Sequence, residues 1–160
     1  MPVPPSVTAS GAPVAVLDSN IWVDILVFDD PVSRPIRAAL EQGRLRAPID
    51  AACREELRRV LGYPQFAHRQ VDEVQAMAWL DSHTETHVPG APPQTAPRPL
   101  PVWKDRDDQK FIELARDAGA GYLVSKDRAV LKLAGRLKHF GMLVLKPEAF
   151  VKLLGEMEPG

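Results

Sequence analysis

The chain has 160 residues and a formal net charge of −1, with 45% hydrophobic and 26% charged residues. This length suits one domain with a proper core, and the near-neutral charge gives no overall positive field that would attract nucleic acid. No apolar run is long enough to predict a membrane span, and the N-terminus does not resemble a secretory signal. Cys53 is the only cysteine, which excludes an internal disulfide. These features favour the cytoplasm.

The first half of the chain alternates predicted strands with predicted helices. Residues 1–13, rich in Pro, Ser and Ala, predict a disordered lead-in before a domain that spans 14–154. Residues 14–17 predict a buried strand, which Asp18 follows directly, and a helical run then extends to Phe28. The next predicted elements are a helix through 35–42, a strand at 45–49, a helix that Asp50 caps, a helix at 69–82 and a strand at 85–88.

A proline-rich segment precedes the second half. Residues 89–103 predict a long surface loop, because prolines this dense exclude a helix or a central strand. The later predicted elements are a helix from 107, a strand at 122–125, a helix at 128–140, a strand at 142–145, a helix from Pro147 and a tail at 155–160. This alternation predicts an α/β fold with helices on both faces of a central, mostly parallel sheet.

Two acids follow apolar strands. Asp18 directly follows the first strand, and Asp127 lies two residues beyond the strand at 122–125. Carboxyl ends of parallel strands share one edge of a sheet, so the two carboxylates come close if the strands are neighbours. Their mutual repulsion is relieved by a hard cation such as Mg²⁺ or Mn²⁺. Helix N-capping is the alternative role for either acid alone, whereas the pair at equivalent positions favours metal binding.

Helical geometry separates the adjacent acids Glu55 and Glu56. Both lie in the helix from Asp50, whose apolar stripe includes Cys53 and Leu57. Glu55 points almost opposite this stripe, which predicts a solvated surface acid. Glu56 lies at the border of the stripe, where a carboxylate can bury its stem and still reach a cleft. The thiol of Cys53, on the stripe itself, is predicted to be buried and inert.

Two further acids, Asp107 and Asp108, begin the helix of the second half. Each shares a helical row with apolar residues, so periodicity does not decide between them. Eight arginines also fall between residues 34 and 69. A solvated helix face and a phosphate-contacting face are both consistent with this cluster.

Five segments, in this order along the chain, resemble the PIN-domain nucleases, specifically the bacterial toxins of toxin–antitoxin pairs (VapC-like). They are LDSNIWVD at 17–24, EELRRVL at 55–61, KDRDDQKFIELA at 104–115, LVSKDRAVL at 123–131 and GMLVLKPEAF at 141–150. The resemblance covers nearly all of the chain from residue 14 onward. It implies a three-layer α/β/α fold with about five strands.

The resemblance also implies an acidic site for Mg²⁺ or Mn²⁺. The four acids that match the family's are Asp18, Glu56, Asp108 and Asp127. Asp108 is favoured because the family's acid stands seven residues before the alanine matched by Ala115, which leaves Asp107 as an accessory ligand. Asn20 and Ser125 match small polar residues that brace the site. The chain departs from the family pattern at Ser19, where threonine is common, and in its long proline-rich loop.

The activity implied by this resemblance is hydrolysis of RNA by metal-activated water, in an endoribonuclease that a small antitoxin protein neutralises and that is commonly a homodimer. Lys126, Arg54, Arg58 and Arg59 are candidate RNA-binding residues. One alternative is a PIN-like module that binds RNA or protein without cutting. A phosphorelay receiver-like domain is less favoured, because Asp18 lacks an adjacent acid and the third strand ends at Val88 and Pro89 without a phosphoacceptor aspartate.

Overall fold

The computed structural model describes residues 12–69, 71–87 and 106–157, with side chains for all of these except 67, 68, 106–109 and 140. The predicted loop at 89–103 and most of the predicted lead-in at 1–13 lie outside these ranges. The described strands and α-helices are β1 (Ala15–Leu17), α1 (Ser19–Val23), α2 (Arg34–Glu41), β2 (Pro48–Ile49), α3 (Ala51–Leu61), α4 (Glu73–His83), β3 (Glu85–Thr86), α5 (Arg106–Asp117), β4 (Tyr122–Val124), α6 (Arg128–Leu131), α7 (Ala134–Leu137), β5 (Leu143–Leu145) and α8 (Pro147–Met157).

All of the described strands run parallel. β1 pairs with β4, and β4 pairs with β5, so that β4 lies between them. β2 pairs with β3 in a second ladder. A parallel bridge between Val14 and Arg46 joins the two ladders, with Ala15 N–H donating to the Arg46 carbonyl at 2.9 Å. The strand order is therefore β3-β2-β1-β4-β5, and the predicted parallel sheet of about five strands is confirmed.

Helices cover this sheet in the predicted three-layer α/β/α arrangement. α5 packs against β1, β2 and β4, α6 and α7 pack against β5, and α1 packs against α3. Among the largest fully buried side chains are Trp22, Leu57, Ile112 and Phe150. Each side chain of this kind contributes roughly 1.5–3 kcal/mol by leaving water. Within the described ranges, no helix is both long enough and apolar enough to cross a membrane.

Four helical segments differ from the sequence prediction. The run after Asp18 changes from α1 to a π-helical turn at Asp24–Phe28. α4 begins at Glu73 rather than near 69, because Asp72 caps it by accepting a hydrogen bond from Gln75 N–H at 3.0 Å, and the preceding Pro64–Arg69 segment is a 3₁₀-helix.

The third difference is the predicted helix at 128–140, which is divided into α6, α7 and a 3₁₀ turn at Lys138–Phe140. At the division, Leu133 N–H bonds to the Val130 carbonyl three residues back, at 3.0 Å, which interrupts the α-helical ladder. Gly135 also lowers the helix propensity of this segment, by about 1 kcal/mol relative to alanine. The closing helix α8 runs to Met157 and so extends into the segment predicted as a tail.

Candidate active site

Asp18 lies at the carboxyl end of β1, as its sequence position predicts. Its backbone N–H donates to the Val124 carbonyl of the neighbouring strand β4 at 3.0 Å. Its Oδ1 caps α1 by accepting a hydrogen bond from Ser19 N–H at 2.7 Å. The residue is only 2% exposed, so its carboxylate is held in a fixed position with little access to bulk water.

The hydroxyl group of Ser125 connects Asp18 with Asp127. Ser125 is fully buried, and its Oγ donates to Asp18 Oδ2 at 2.7 Å. The same Oγ accepts a hydrogen bond from the backbone N–H of Asp127 at 3.0 Å. Asn20 Nδ2 lies 3.4 Å from this Oγ, and Asn20 Oδ1 accepts from Lys126 N–H at 3.2 Å. The contacts of Asn20 and Ser125 therefore tie the segment after β4 to the start of α1.

Asp127 caps α6, with its Oδ1 accepting a hydrogen bond from Ala129 N–H at 2.8 Å. Both strand-end acids thus perform the N-capping that was the alternative to metal binding. The two roles are compatible, because a carboxylate oxygen that accepts one hydrogen bond has a second lone pair with which it can bind a metal ion. Among the residues that the structure describes, none donates a hydrogen bond to Asp127 Oδ2. Asp127 is half-buried and therefore partly open to solvent.

The strand order gives these two acids a special location. β1 has β2 on one side and β4 on the other. After β1, the chain first adds β2 and β3 on one side of it and later adds β4 and β5 on the opposite side. In open α/β sheets, ligands bind outside the carboxyl ends of the strands at such a switch point. Asp18 and Asp127 follow β1 and β4 at this point.

Glu56 points inward and Glu55 outward, as the helical geometry predicts. The Glu56 side chain is 8% exposed and forms ion pairs with Arg59 and with Lys110, whose Nζ lies 3.5 Å from Glu56 Oε2. The Glu55 side chain is 52% exposed and pairs with Arg58. Because Lys110 belongs to α5, its ion pair links Glu56 to the helix whose first turn contains residues 107 and 108.

The side chains of Asp107 and Asp108 lie outside the described residues, so the complete four-acid set stays a prediction. Among the side chains that are described, no three of the types His, Cys, Asp and Glu lie close enough together to hold a metal ion. The donors themselves fit a hard divalent cation. Asp18 and Asp127 supply carboxylate oxygens at one edge of the sheet, and such oxygens are the ligands that Mg²⁺ and Mn²⁺ prefer.

Asp24 is a buried acid whose place beside the site is not evident from the sequence pattern. It is 4% exposed, and its Oδ2 lies 2.6 Å from Lys126 Nζ. Asp24 stands four residues after Asn20, so the two side chains occupy one face of α1 and its π-helical continuation. This spacing from Asn20 is the one signal in the sequence that could have identified it, since its partner Lys126 belongs to a distant part of the chain.

The candidate RNA-binding arginines of α3 are all paired with acids. Arg54 forms two hydrogen bonds of 2.8 Å with Asp81 of α4, which lower the pKa of the Asp81 carboxyl. Arg58 contacts Glu55 and also lies 3.7 Å from Glu73. Arg59 pairs with Glu56, as noted above. The contacts with Asp81 and Glu73 tie α3 to α4, and together the ion pairs partly neutralise the positive charge of the helix face.

The single cysteine lies in the same helix as Glu56. Cys53 is fully buried, and this burial raises the pKa of its thiol, with a smaller contribution from its hydrogen bond to Asp50. The thiol therefore stays protonated at neutral pH and is a poor nucleophile. The predicted burial of Cys53 is confirmed, and its low reactivity stays a prediction.

The fold and the paired strand-end acids define a parallel α/β protein with an acidic edge at its switch point. A family model described as the PIN domain matches residues 14–129, and the chain belongs to this family. No curated protein is similar enough to count as a match. The PIN domain is a nuclease fold whose members typically depend on metal, commonly Mg²⁺ or Mn²⁺, and act on RNA.

Proposed function

We propose that this protein is a divalent-metal-dependent endoribonuclease whose site consists of Asp18, Glu56, Asp108 and Asp127, with Asp107 as an accessory acid. The observation that carries the proposal is the connection of Asp18 to Asp127 through Ser125 Oγ, at the switch point of the sheet. Membership of the PIN domain family supports the nuclease activity at the level of reaction class.

Each group around the acids has a role in this proposal. Ser125 and Asn20 hold the segment after β4 against α1, which fixes Asp127 relative to Asp18. Asp18 and Asp127 act as hard oxygen donors for Mg²⁺ or Mn²⁺, with Asp108 and Glu56 completing the set. A divalent cation bound there lowers the pKa of a coordinated water and neutralises charge that develops on the phosphate. No nucleophilic side chain is required, which agrees with the protonated thiol of Cys53.

Binding of the RNA backbone is assigned to Lys126, Arg54, Arg58 and Arg59. The three arginines lie on one helix and expose between about 40% and 54% of their side chains, so a phosphate can reach them without a change of fold. Such contacts position RNA without reading its bases.

We further propose that the protein is the toxin of a toxin–antitoxin pair, acts in the cytoplasm as a homodimer and is neutralised by a small antitoxin protein. The support for this finer assignment is the order of the five matching segments along the chain. Induced expression in a bacterial host tests it. Growth arrest that Asp18→Asn abolishes, and that a short neighbouring reading frame relieves when co-expressed, is the expected result. Unimpaired growth on expression of the soluble wild-type protein contradicts the toxin role.

Cleavage of labelled RNA tests the nuclease itself. The wild-type protein is expected to cut with Mn²⁺ or Mg²⁺ and to stop when EDTA is added, and Asp18→Asn is expected to be inactive. Asp29→Asn is a matched control, because Asp29 is an exposed acid in an ion pair with Arg34. RNA that stays intact with either metal, or equal cleavage by Asp18→Asn, contradicts the proposal.

One observation favours the alternative of a module that binds RNA without cutting it. Glu56 is already neutralised by Arg59 and Lys110, two cations that a metal would have to displace or tolerate. On this alternative, the wild-type protein shifts the mobility of RNA but leaves it intact in Mn²⁺. The cleavage assay and a gel-shift assay on the same RNA therefore separate the two functions.

A further inference from the structure

Asp24 is a buried carboxylate that the proposed chemistry does not use. Its side chain is 5% exposed, whereas that of its partner Lys126 is 43% exposed. A charge buried this deeply destabilises a protein unless it is paired, and the Lys126 ammonium supplies the opposite charge at 2.6 Å. Asp24 is therefore the buried partner of this ion pair, and Lys126 is the partly exposed partner.

Lys126 stands between two residues of the proposed site, Ser125 and Asp127. Its backbone N–H is fixed by Asn20 Oδ1 at 3.2 Å, but its ammonium lies at the end of a flexible four-carbon stem. An ammonium without a partner in this position is free to turn toward the carboxylate of Asp127, the next residue along the chain. It would then compete with a divalent cation for the same oxygens.

We propose that Asp24 is a positioning residue that holds the Lys126 ammonium away from the strand-end acids and so keeps them available for metal. Asn20 and Asp24, on one helix face, would hold the backbone and the ammonium of Lys126 respectively. This inference rests on the proposed function, because it assumes that Asp18 and Asp127 bind a divalent cation.

Calorimetric titration of the intact protein with Mn²⁺ alone, without RNA, tests the proposal. Asp24→Asn removes the charge of the anchor at constant size, and we expect Mn²⁺ affinity to fall roughly 10-fold, the low end of the loss seen when a residue supporting the ligands is changed. The double variant Asp24→Asn, Lys126→Met removes the competing ammonium as well. Its Mn²⁺ affinity is expected to return to within about twofold of wild type, because the two contacting residues are coupled and the second change removes the ammonium that the first one released.

The single variant Lys126→Met completes a double-mutant cycle with the two variants above. It leaves Asp24 buried without its cation, so the Tm is expected to fall by roughly 5–10 °C. Its Mn²⁺ affinity is nevertheless expected to equal or exceed that of wild type. A purely structural role predicts the opposite pattern, in which each single variant weakens Mn²⁺ binding and the double variant is at least as weak. Should Asp24→Asn fail to fold, weaker Mn²⁺ binding by Lys126→Met still overturns the proposal.

Two comparisons keep this inference separate from the proposed function. Asp29→Asn, which breaks an exposed ion pair, should bind Mn²⁺ as wild type does, whereas Asp18→Asn should not bind it. Equal Mn²⁺ affinity of Asp24→Asn and wild type overturns the role of Asp24 alone. Wild-type protein that binds no Mn²⁺ overturns both proposals. Wild-type protein that binds Mn²⁺ but leaves RNA intact overturns only the nuclease.

Discussion

Asp18 and Asp127 are joined through one hydroxyl group, since Ser125 Oγ donates to the Asp18 carboxylate and accepts from the Asp127 backbone N–H. The bond to Asp18 fixes the carboxylate oxygen that faces Ser125, and the bond from Asp127 fixes the turn into α6. A single buried atom therefore links two acids that lie far apart in the sequence.

Replacement of Ser125 by alanine is the first prediction. Ser125→Ala leaves Asp18 Oδ2 and Asp127 N–H without this partner, so the free energy of unfolding should fall by about 1–3 kcal/mol. RNA cleavage should fall roughly 10- to 100-fold, the range expected when a residue that orients ligands is lost. Urea unfolding and initial cleavage rates in Mn²⁺ measure the two effects. Ser82→Ala, at an exposed serine of α4, is the control, and a Ser125→Ala rate equal to wild type contradicts the role of Ser125.

The neighbouring glutamates of α3 provide a matched pair for the second prediction. Glu56→Gln removes a buried carboxylate from the proposed site, and we expect cleavage to fall by more than about 100-fold, beyond the loss typical of a residue that only supports ligands. Glu55→Gln removes an exposed carboxylate one residue away, the partner of Arg58, and at saturating enzyme it should leave the rate within about twofold of wild type. Single-turnover cleavage compares them. Equal rates for the two variants would exclude Glu56 from the acid set.

The third prediction concerns the pairing of Arg54 with Asp81. Because Arg54 lowers the pKa of Asp81, this ion pair is intact at the neutral pH of an assay, and its small contribution to stability is lost only as the pH falls below about 4. If Arg54 contacts phosphate, Arg54→Gln weakens RNA binding and lowers the salt dependence of log K by about 0.7, the value for one contact to a single strand.

The variant Asp81→Asn removes the acidic partner of the same ion pair. It frees Arg54 from its acidic partner and should therefore strengthen RNA binding at low salt. Fluorescence anisotropy with labelled RNA, titrated with KCl, measures both variants. The assignment of Arg54 to RNA binding fails if neither variant changes the affinity or its salt dependence.

The reactivity of Cys53 is the fourth prediction. Burial raises the pKa of this thiol, so the thiolate is scarce in the native protein at pH 8 and the sulfur is inaccessible to reagents. Iodoacetamide should modify less than about a tenth of the native protein under conditions that alkylate the urea-unfolded chain completely. Mass spectrometry of the intact chain counts the adducts. Rapid alkylation of the native protein contradicts the buried position.

The elements that the sequence predicts correctly are those with a local physical signal. The apolar runs of β1 and β4, the capping by Asp50 and the opposite orientations of Glu55 and Glu56 depend only on neighbouring residues. These signals and the family resemblance were enough to predict the parallel sheet and to select Asp18 and Asp127.

Features that depend on distant contacts were not predictable in this way. The burial of Asp24 requires Lys126, which comes from the segment after β4. The π-helical turn at Asp24–Phe28 and the division of 128–140 into short helices do not break the apolar pattern of the sequence, so periodicity predicted continuous helices. Local periodicity shows which face of a segment is apolar, but not where its hydrogen-bond ladder is interrupted.

The pairing of β1 with β4 also sets the order in which the acidic edge can form during synthesis. β1 ends at Leu17, yet its partner ends at Val124, and Asp127 follows three residues later in a chain of 160. Domains form on the ribosome from the N-terminal side, and pairing between segments this distant in sequence must wait for the later one. The nascent chain therefore carries Asp18 without Asp127 until the whole stretch between them has been made, and only then can the two acids first meet.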